Sequence, residues 1–252
     1  MTNVKVQPNE LQPHGLPLIE PTARIEPSWC DRPSVEVAPD LLGTTLVRQM
    51  PDDGPLIRAM IVETEAYSPG DPACHAYTGK SKRNAAMFGP AGRSYVYLIY
   101  GMYHCLNVVT ERDGIGSAVL IRALALDTIP SHLDHKQTKK PVRIAAGPGK
   151  LCRALKIDRS HDSLVYCPDS GLWLEHRPRP VTKKEVVQTT RIGITKAAER
   201  PWRWYLKDHP AVSKVIAKAA AKKVAKRAVS KSAAATKSAI SKSAIKQKIP
   251  PS

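Results

Sequence analysis

Several kinds of chemistry are missing from this chain. Its five cysteines, Cys30, Cys74, Cys105, Cys152 and Cys167, stand far apart with no CxxC among them. Neither a disulfide framework nor a zinc site is expected from that spacing. There is no GxSxG elbow, Walker loop, dinucleotide fingerprint or HExxH, so those routes to catalysis are set aside, and no metal or cofactor is expected. No apolar run approaches the ~20 residues that span a bilayer. The N-terminus lacks the cationic, apolar and small-residue zones of a secretory leader. An intracellular protein with no membrane partner is expected. Aromatic residues make up only 5% of the chain, with a single phenylalanine.

Acids are also missing from one end. The net charge is +17, but from Ala211 onward there are ten Lys, one Arg and no Asp or Glu. Removing that tail from the totals of 39 basic and 22 acidic residues leaves 28 against 22, or +6, for residues 1–210. A mildly basic body with a strongly basic tail fits a polyanionic partner, nucleic acid first and an acidic membrane surface second. The tail is almost wholly Ala, Lys, Ser, Val and Ile, a composition that does not build a core. It is expected to be disordered and to touch no residue of a pocket.

Against so few aromatics, Arg93–Asn107 stands out: RSYVYLIYGMYHCLN holds four of the eight tyrosines. As a β-strand, it places Tyr95, Tyr97 and Ile99 on one face and Val96, Leu98 and Tyr100 on the other. Gly101 then permits a turn or a close backbone approach. On this reading Tyr97 lines a pocket while Tyr100 sits at a hairpin tip; the plainer alternative is a buried aromatic strand.

The length allows one fair-sized domain or two small ones. Residues 1–33 read as a flexible lead with a few anchored positions, 34–208 as the folded domain and 209–252 as the basic tail. Within the domain, a short helix ends near Gly43. TTLVRQM and LIRAMIVETEAY form strands around a PDDGP turn. On the second strand Ile61, Glu63, Glu65 and Tyr67 share a face by the period of two. Ser68–Gly92 is a long irregular segment, of the kind that carries function. AVLIRALAL is an apolar strand with Arg122 inside it, and a buried arginine needs a partner. AAGPGKLCRALKI has helical spacing, and LWLEH, VVQTTRIGI and PWRWYL read as strands. Strands in hairpins with few helices predict an α+β fold: a single mixed domain around a curved antiparallel sheet.

Candidate chemistry is sparse. Glu63 and Glu65 are the paired carboxylates near aromatics, and two acids on one face take different roles only if their surroundings differ. The alternative is an ordinary solvent-facing strand. His75 lies in the DPACHAY loop, where a hydrogen-bonding role is as natural as a catalytic one. Gly147–Lys150, GPGK, lacks Walker spacing and offers at most a seat for one backbone phosphate.

Taken together, IVETEAYSPGDPACHAYTGKSKRNAAMFGPAGRSYVYLIYGMYHCLNVV closely resembles the alkyladenine (3-methyladenine) DNA glycosylase family. APDLLGTTLVR, LIRAL, GPGKLCRAL and RIGI continue the match in order, over roughly Val35–Lys207. The loop between Tyr67 and His75 is a residue shorter than in some relatives. The resemblance implies a DNA-associated repair enzyme acting on double-stranded DNA with damaged purines, as a monomer without cofactor. It implies Glu65 as the general base on a water and Arg122 as the group holding water and carboxylate. Tyr67 on one side, with His75 and Tyr97 on the other, would stack on the extruded base. Asn107 would lie where a guanine amino group would collide. Tyr100 would enter from the minor groove and fill the gap in the duplex, with Met102 supporting a neighbouring step, making the hairpin a DNA wedge. Ile192 or Ile194 would offer the water a main-chain carbonyl. No lysine falls among the matched pocket residues, which argues against a Schiff-base step.

Two alternatives stand beside that reading. One is a non-enzymatic DNA-binding protein acting through its basic tail. The other is a hydrolase of another glycoside, with Glu63 and Glu65 as the carboxylate pair; same-face neighbours on a strand are ~6–7 Å apart at Cα.

Overall fold

The computed structural model describes residues 15–214. Among the described residues there are eight strands: β1 (Thr45–Gln49), β2 (Leu56–Tyr67), β3 (Ser94–Ile99), β4 (Tyr103–Val109), β5 (Ala118–Leu126), β6 (Leu172–Glu175), β7 (Val186–Thr189) and β8 (Arg203–Leu206). They make one sheet in the order β3-β4-β5-β2-β1-β6, with β8 joined to β2 and β7 to β8. All the pairings with a recorded register are antiparallel. Three short helices accompany the sheet: α1 (Ser34–Asp40), α2 (His135–Thr138) and α3 (Pro148–Ala154). The expected α+β class holds.

β2 is the axis. Its first half pairs with β1, through Met60 opposite Thr45, and its second half pairs with β8, through Glu63–Glu65 opposite Tyr205–Arg203. β5 runs along its other side. Where β1 hands over to β8 the ladder slips, with register shifts between Ile61 and Glu63 and between Glu63 and Thr64. A bulge of this kind adds a residue and reverses which face the following side chains meet. Ile57, Ala59 and Ile61 lie in the main apolar core with Val37 and Ala38 of α1. Beyond the slip it is Ala66 that joins that core, while the Thr64 hydroxyl bonds to the Ala38 carbonyl at 2.8 Å. β5 shifts in step: Val119 and Ile121 belong to this core, then Leu124 and Leu126.

The expected shared face of Ile61, Glu63, Glu65 and Tyr67 is therefore corrected. Ile61 points into the helix-covered core. Glu63, Glu65 and Tyr67 point to the opposite side, together with Arg122. Thirty buried side chains make up that core; at roughly 1.5–3 kcal/mol for each Val, Leu or Ile removed from water, it can hold four charged groups on the other face.

Elsewhere the sequence pattern needs smaller amendments. In the β1–β2 turn the left-handed residues are Asp52 and Asp53, with φ of 59° and 53°, and Gly54 only follows them. The segment VVQTTRIGI is a strand only through Thr189. Anchored residues of the N-terminal lead are Leu16, Ile25 and Cys30, all buried, and the Ile25 N–H bonds to the Leu174 carbonyl at 2.9 Å. At the other end order continues past Pro210: Ala211 is buried against Val62, Ala123 and Ala125. The rest of the basic tail, residues 215–252, lies outside the described residues.

Candidate active site

The second half of β2 presents two fully buried carboxylates. Arg122 of β5 lies between them. Its Nε donates to Glu63 Oε1 at 3.1 Å and its Nη1 lies 3.2 Å from Glu65 Oε2. Burial alone would draw the guanidinium pKa down, but Glu65 and then Glu63 more than offset it, so the net shift is upward and the charge is fixed. A lone buried ion would cost several kcal/mol. Here Arg203 of β8 supplies a second cation, with Nη1 donating to Glu63 Oε1 at 2.8 Å. Two acids and two arginines leave the group neutral.

The two carboxylates are not equivalent. Glu63 also accepts from the Ser213 N–H on Oε2 at 2.8 Å and from the Ser213 hydroxyl on Oε1 at 3.0 Å. Three donors thus crowd Glu63 Oε1, two of them from arginines, and one meets Oε2. Glu65 accepts the Ile192 N–H on Oε1 at 2.7 Å, the Tyr67 hydroxyl on Oε2 at 2.9 Å, and Arg122. The two acids therefore differ in their partners: two arginines and Ser213 at Glu63, one arginine, a phenol and a backbone N–H at Glu65. Ile192 thus meets the site through its N–H, where the resemblance gave a carbonyl to Ile192 or Ile194.

Aromatic side chains stand beside Glu65. Tyr67 and Tyr97 both pack on a small cluster of Cys74, Met87, Tyr95, Val109 and Ala118. Burial, then the Glu65 charge, pushes the Tyr67 phenol well above its ordinary pKa, so it stays a donor to Glu65. One face of its ring is already covered: the Arg191 guanidinium lies 4.7 Å from the ring centre. Arg191 is itself buried and paired with Asp71, with Nη2 donating to Oδ1 at 3.0 Å, and its Nη1 bonds to the Ala66 carbonyl at 3.0 Å. This clamp ties the 68–92 loop to the loop after β7.

His75 meets Tyr97 edge to face at 4.6 Å, with the ring planes at 71°. Its Nδ1 lies 2.8 Å from the Tyr95 hydroxyl. Burial, then Arg83, lowers its pKa below the ordinary histidine value, so the ring is neutral at pH 7. Asn107 of β4 is buried and donates from Nδ2 to the Tyr95 carbonyl at 2.8 Å. Glu65, Tyr67, His75, Tyr97, Asn107 and Arg122 are thus gathered on the face of the sheet away from α1.

The β3–β4 hairpin turns at Ile99–Met102. Tyr100 and Gly101 have φ of 53° and 68°, and the Met102 N–H bonds to the Ile99 carbonyl at 3.3 Å. Two successive positive φ values are the mark of a type I′ hairpin turn. Tyr100 is therefore a turn residue, not the last member of the Val96–Leu98 face, and the strand alternation assumed for it does not apply. It is 56% exposed and Met102 44%. A non-glycine residue in the left-handed region costs about 1–3 kcal/mol when its surroundings do not favour it.

Gly147 and Gly149 open α3, where an added Cβ at 149 would lie 3.0 Å from the Tyr103 ring. Close packing accounts for that glycine. No group of three or more metal-ligating side chains occurs among the described residues. Asp71, Arg191, Arg203 and Ser213 were missed by the sequence reading. The tail was expected to touch no pocket residue, yet Ser213 bonds Glu63 directly.

Residues 28–210 match the family model described as methylpurine-DNA glycosylase. A protein of Synechococcus sp. (strain JA-3-3Ab) is 57% identical over 189 residues, covering 73% of this chain and 96% of that protein. One of Trichodesmium erythraeum is 57% identical over 196 residues, covering 75% and 97%. One of Methanocella arvoryzae is 50% identical over 191 residues, covering 73% and 92%. All three carry the name "Putative 3-methyladenine DNA glycosylase".

Proposed function

The chain belongs to the methylpurine-DNA glycosylase family, and from that premise we propose that it flips alkylated purines of the 3-methyladenine type out of double-stranded DNA and hydrolyses their N-glycosidic bond. The products are the free base and an abasic site, and the enzyme is monofunctional. Its place is in DNA repair, by base excision.

A base inside a duplex cannot be attacked, so extrusion comes first, at a cost of a few kcal/mol. Stacking on aromatic rings returns about 1–3 kcal/mol per base. Tyr67 offers its ring face opposite Arg191, and Tyr97 with His75 makes the facing wall. Such walls suit the cationic rings of alkylated purines. Asn107 excludes bases with a guanine-type amino group. Tyr100, carried on its strained turn with Met102 beside it, takes the vacated place in the stack. As the base departs, the sugar becomes oxocarbenium-like. Glu65 stabilises that charge and takes a proton from the attacking water, while Arg122 holds the carboxylate in place.

One observation carries this reading: Glu65 is held by one arginine and two neutral donors beside the rings of Tyr67 and Tyr97, whereas Glu63 is held by two arginines and Ser213. That difference also counts against a pair of carboxylates sharing acid and base roles. The test is to incubate the full chain with duplexes that each carry one defined lesion, then treat with alkali. Strand cleavage at an alkylated adenine, only after alkali, is the expected result. No cleavage at any alkylated purine would refute the function, and cleavage before alkali would refute the monofunctional chemistry.

A further inference from the structure

Three residues beyond the family match, the chain returns to the buried charges. Ala211 is fully buried beside Val62, Ala123 and Ala125, and Arg143 Nη1 donates to the Pro210 carbonyl. This strap delivers Ser213 to Glu63 with two hydrogen bonds, 2.8 Å from the N–H and 3.0 Å from the hydroxyl. Arg122 Nη2 lies 3.5 Å from the same hydroxyl. The three nitrogens of Arg122 thus face three partners: Nε to Glu63, Nη1 to Glu65 and Nη2 to Ser213. Two of those three depend on Ser213, directly or through Glu63.

We propose that Ser213 is a positioning residue for the excision reaction, holding Arg122 in register with Glu65 through Glu63. The inference rests on the function proposed above. Its physical basis is the planar guanidinium, whose three nitrogens cannot be re-aimed one at a time. The Ser213 N–H is the one donor to Glu63 Oε2 among the described residues. Without it a buried carboxylate oxygen is unsatisfied, and Glu63 shifts toward other donors. Arg122 then turns with Glu63 and leaves Glu65 at the wrong angle. The strap makes the chain just after the family match part of the active-site frame.

The experiment uses the full chain with Ser213→Ala, which loses the hydroxyl, Ser213→Pro, which loses hydroxyl and N–H, and Ser213→Thr, which keeps both. Single-turnover excision of one alkylated adenine is measured at saturating enzyme, beside affinity for a duplex with a non-cleavable abasic analogue and the melting temperature. The rate per bound duplex should fall about tenfold for Ser213→Ala, as expected for one hydrogen bond to a charged group. For Ser213→Pro it should fall by roughly 10²-fold, the scale of an ångström-sized misplacement. Ser213→Thr should restore the wild-type rate, and affinity should not change. If the wild type excises and Ser213→Ala matches it per bound duplex, the positioning role is overturned while the function stands. Loss of rate and affinity in parallel with the melting temperature would also overturn it, as a purely structural role. If the wild type itself excises no alkylated purine, the function fails and the positioning role with it.

Discussion

Glu63 and Glu65 share a strand, a burial and an arginine, yet they sit in two different regions. Around Glu63 the space is closed: β5, β8 and the C-terminal strap each send a donor or a cation into it. Glu65 instead stands beside the rings of Tyr67 and Tyr97, and two of its three partners are neutral donors. The difference arises from where the chain comes back. Arg203 and Ser213 return to the first carboxylate, and the Ile192 N–H with the Tyr67 hydroxyl to the second. A strand alone places acids; the segments that return to it decide which one stays available for chemistry.

The largest expected effect is at Glu65. Glu65→Gln keeps the shape and removes the base, so single-turnover excision should fall by roughly 10²–10⁴-fold with DNA affinity nearly unchanged. An active Glu65→Gln would erase the distinction between the two regions. Next comes the residue proposed to hold the duplex open. Tyr100→Ala should weaken binding to lesion-containing duplex by about 1–3 kcal/mol, roughly five- to 150-fold, and binding to single-stranded product less. Equal losses on both, in a binding titration, would make Tyr100 a turn residue only.

A smaller effect is expected at Asn107. Asn107→Ser should raise excision of guanine-type lesions, measured on duplexes carrying 7-methylguanine. It should also cost about 1 kcal/mol in denaturant melts, through the lost bond to the Tyr95 carbonyl. No gain would place discrimination elsewhere. The smallest effect on chemistry belongs to the basic tail. Ending the chain at Lys214 keeps Ser213 in place, so single-turnover excision on a short saturated duplex should hardly change. Affinity for undamaged DNA should drop and its salt dependence flatten by ~0.9 log units per lost phosphate contact. An unchanged slope in a salt titration would make the tail a bystander, and a collapsed rate would extend the closed region beyond Ser213.

Much of this was legible in the sequence. β1, β2, β5 and β6 follow from apolar runs, α3 from helical spacing, and the α+β class from hairpins without crossover helices. Glu65, Tyr67, His75, Tyr97, Asn107 and Arg122 come from the family resemblance, and the fold brings them to one face. The bulge at Ile61–Glu63 was not legible, because a period of two has no term for a slipped residue. Tyr100 was placed on a strand face for the same reason: alternation does not show where a strand stops and a left-handed residue begins. Asp71 and Arg191 pair across 120 positions, and nothing local to either marks the other. Ser213 was hidden by composition, since it opens a stretch that otherwise reads as tail.

The central claim is the asymmetry between the two acids, and the most direct measurement compares Glu65→Gln with Glu63→Gln in one experiment. Excision per bound lesion is read in single turnover, beside the denaturant midpoint of each protein. Glu65→Gln should lose nearly all excision and some stability, since it removes one of the two carboxylates paired with Arg122. Glu63→Gln should lose less excision and more stability, about 3 kcal/mol, because it strips the charge that balances Arg122 and Arg203. If Glu63→Gln proves the less active of two equally stable proteins, the assignment of roles is contradicted.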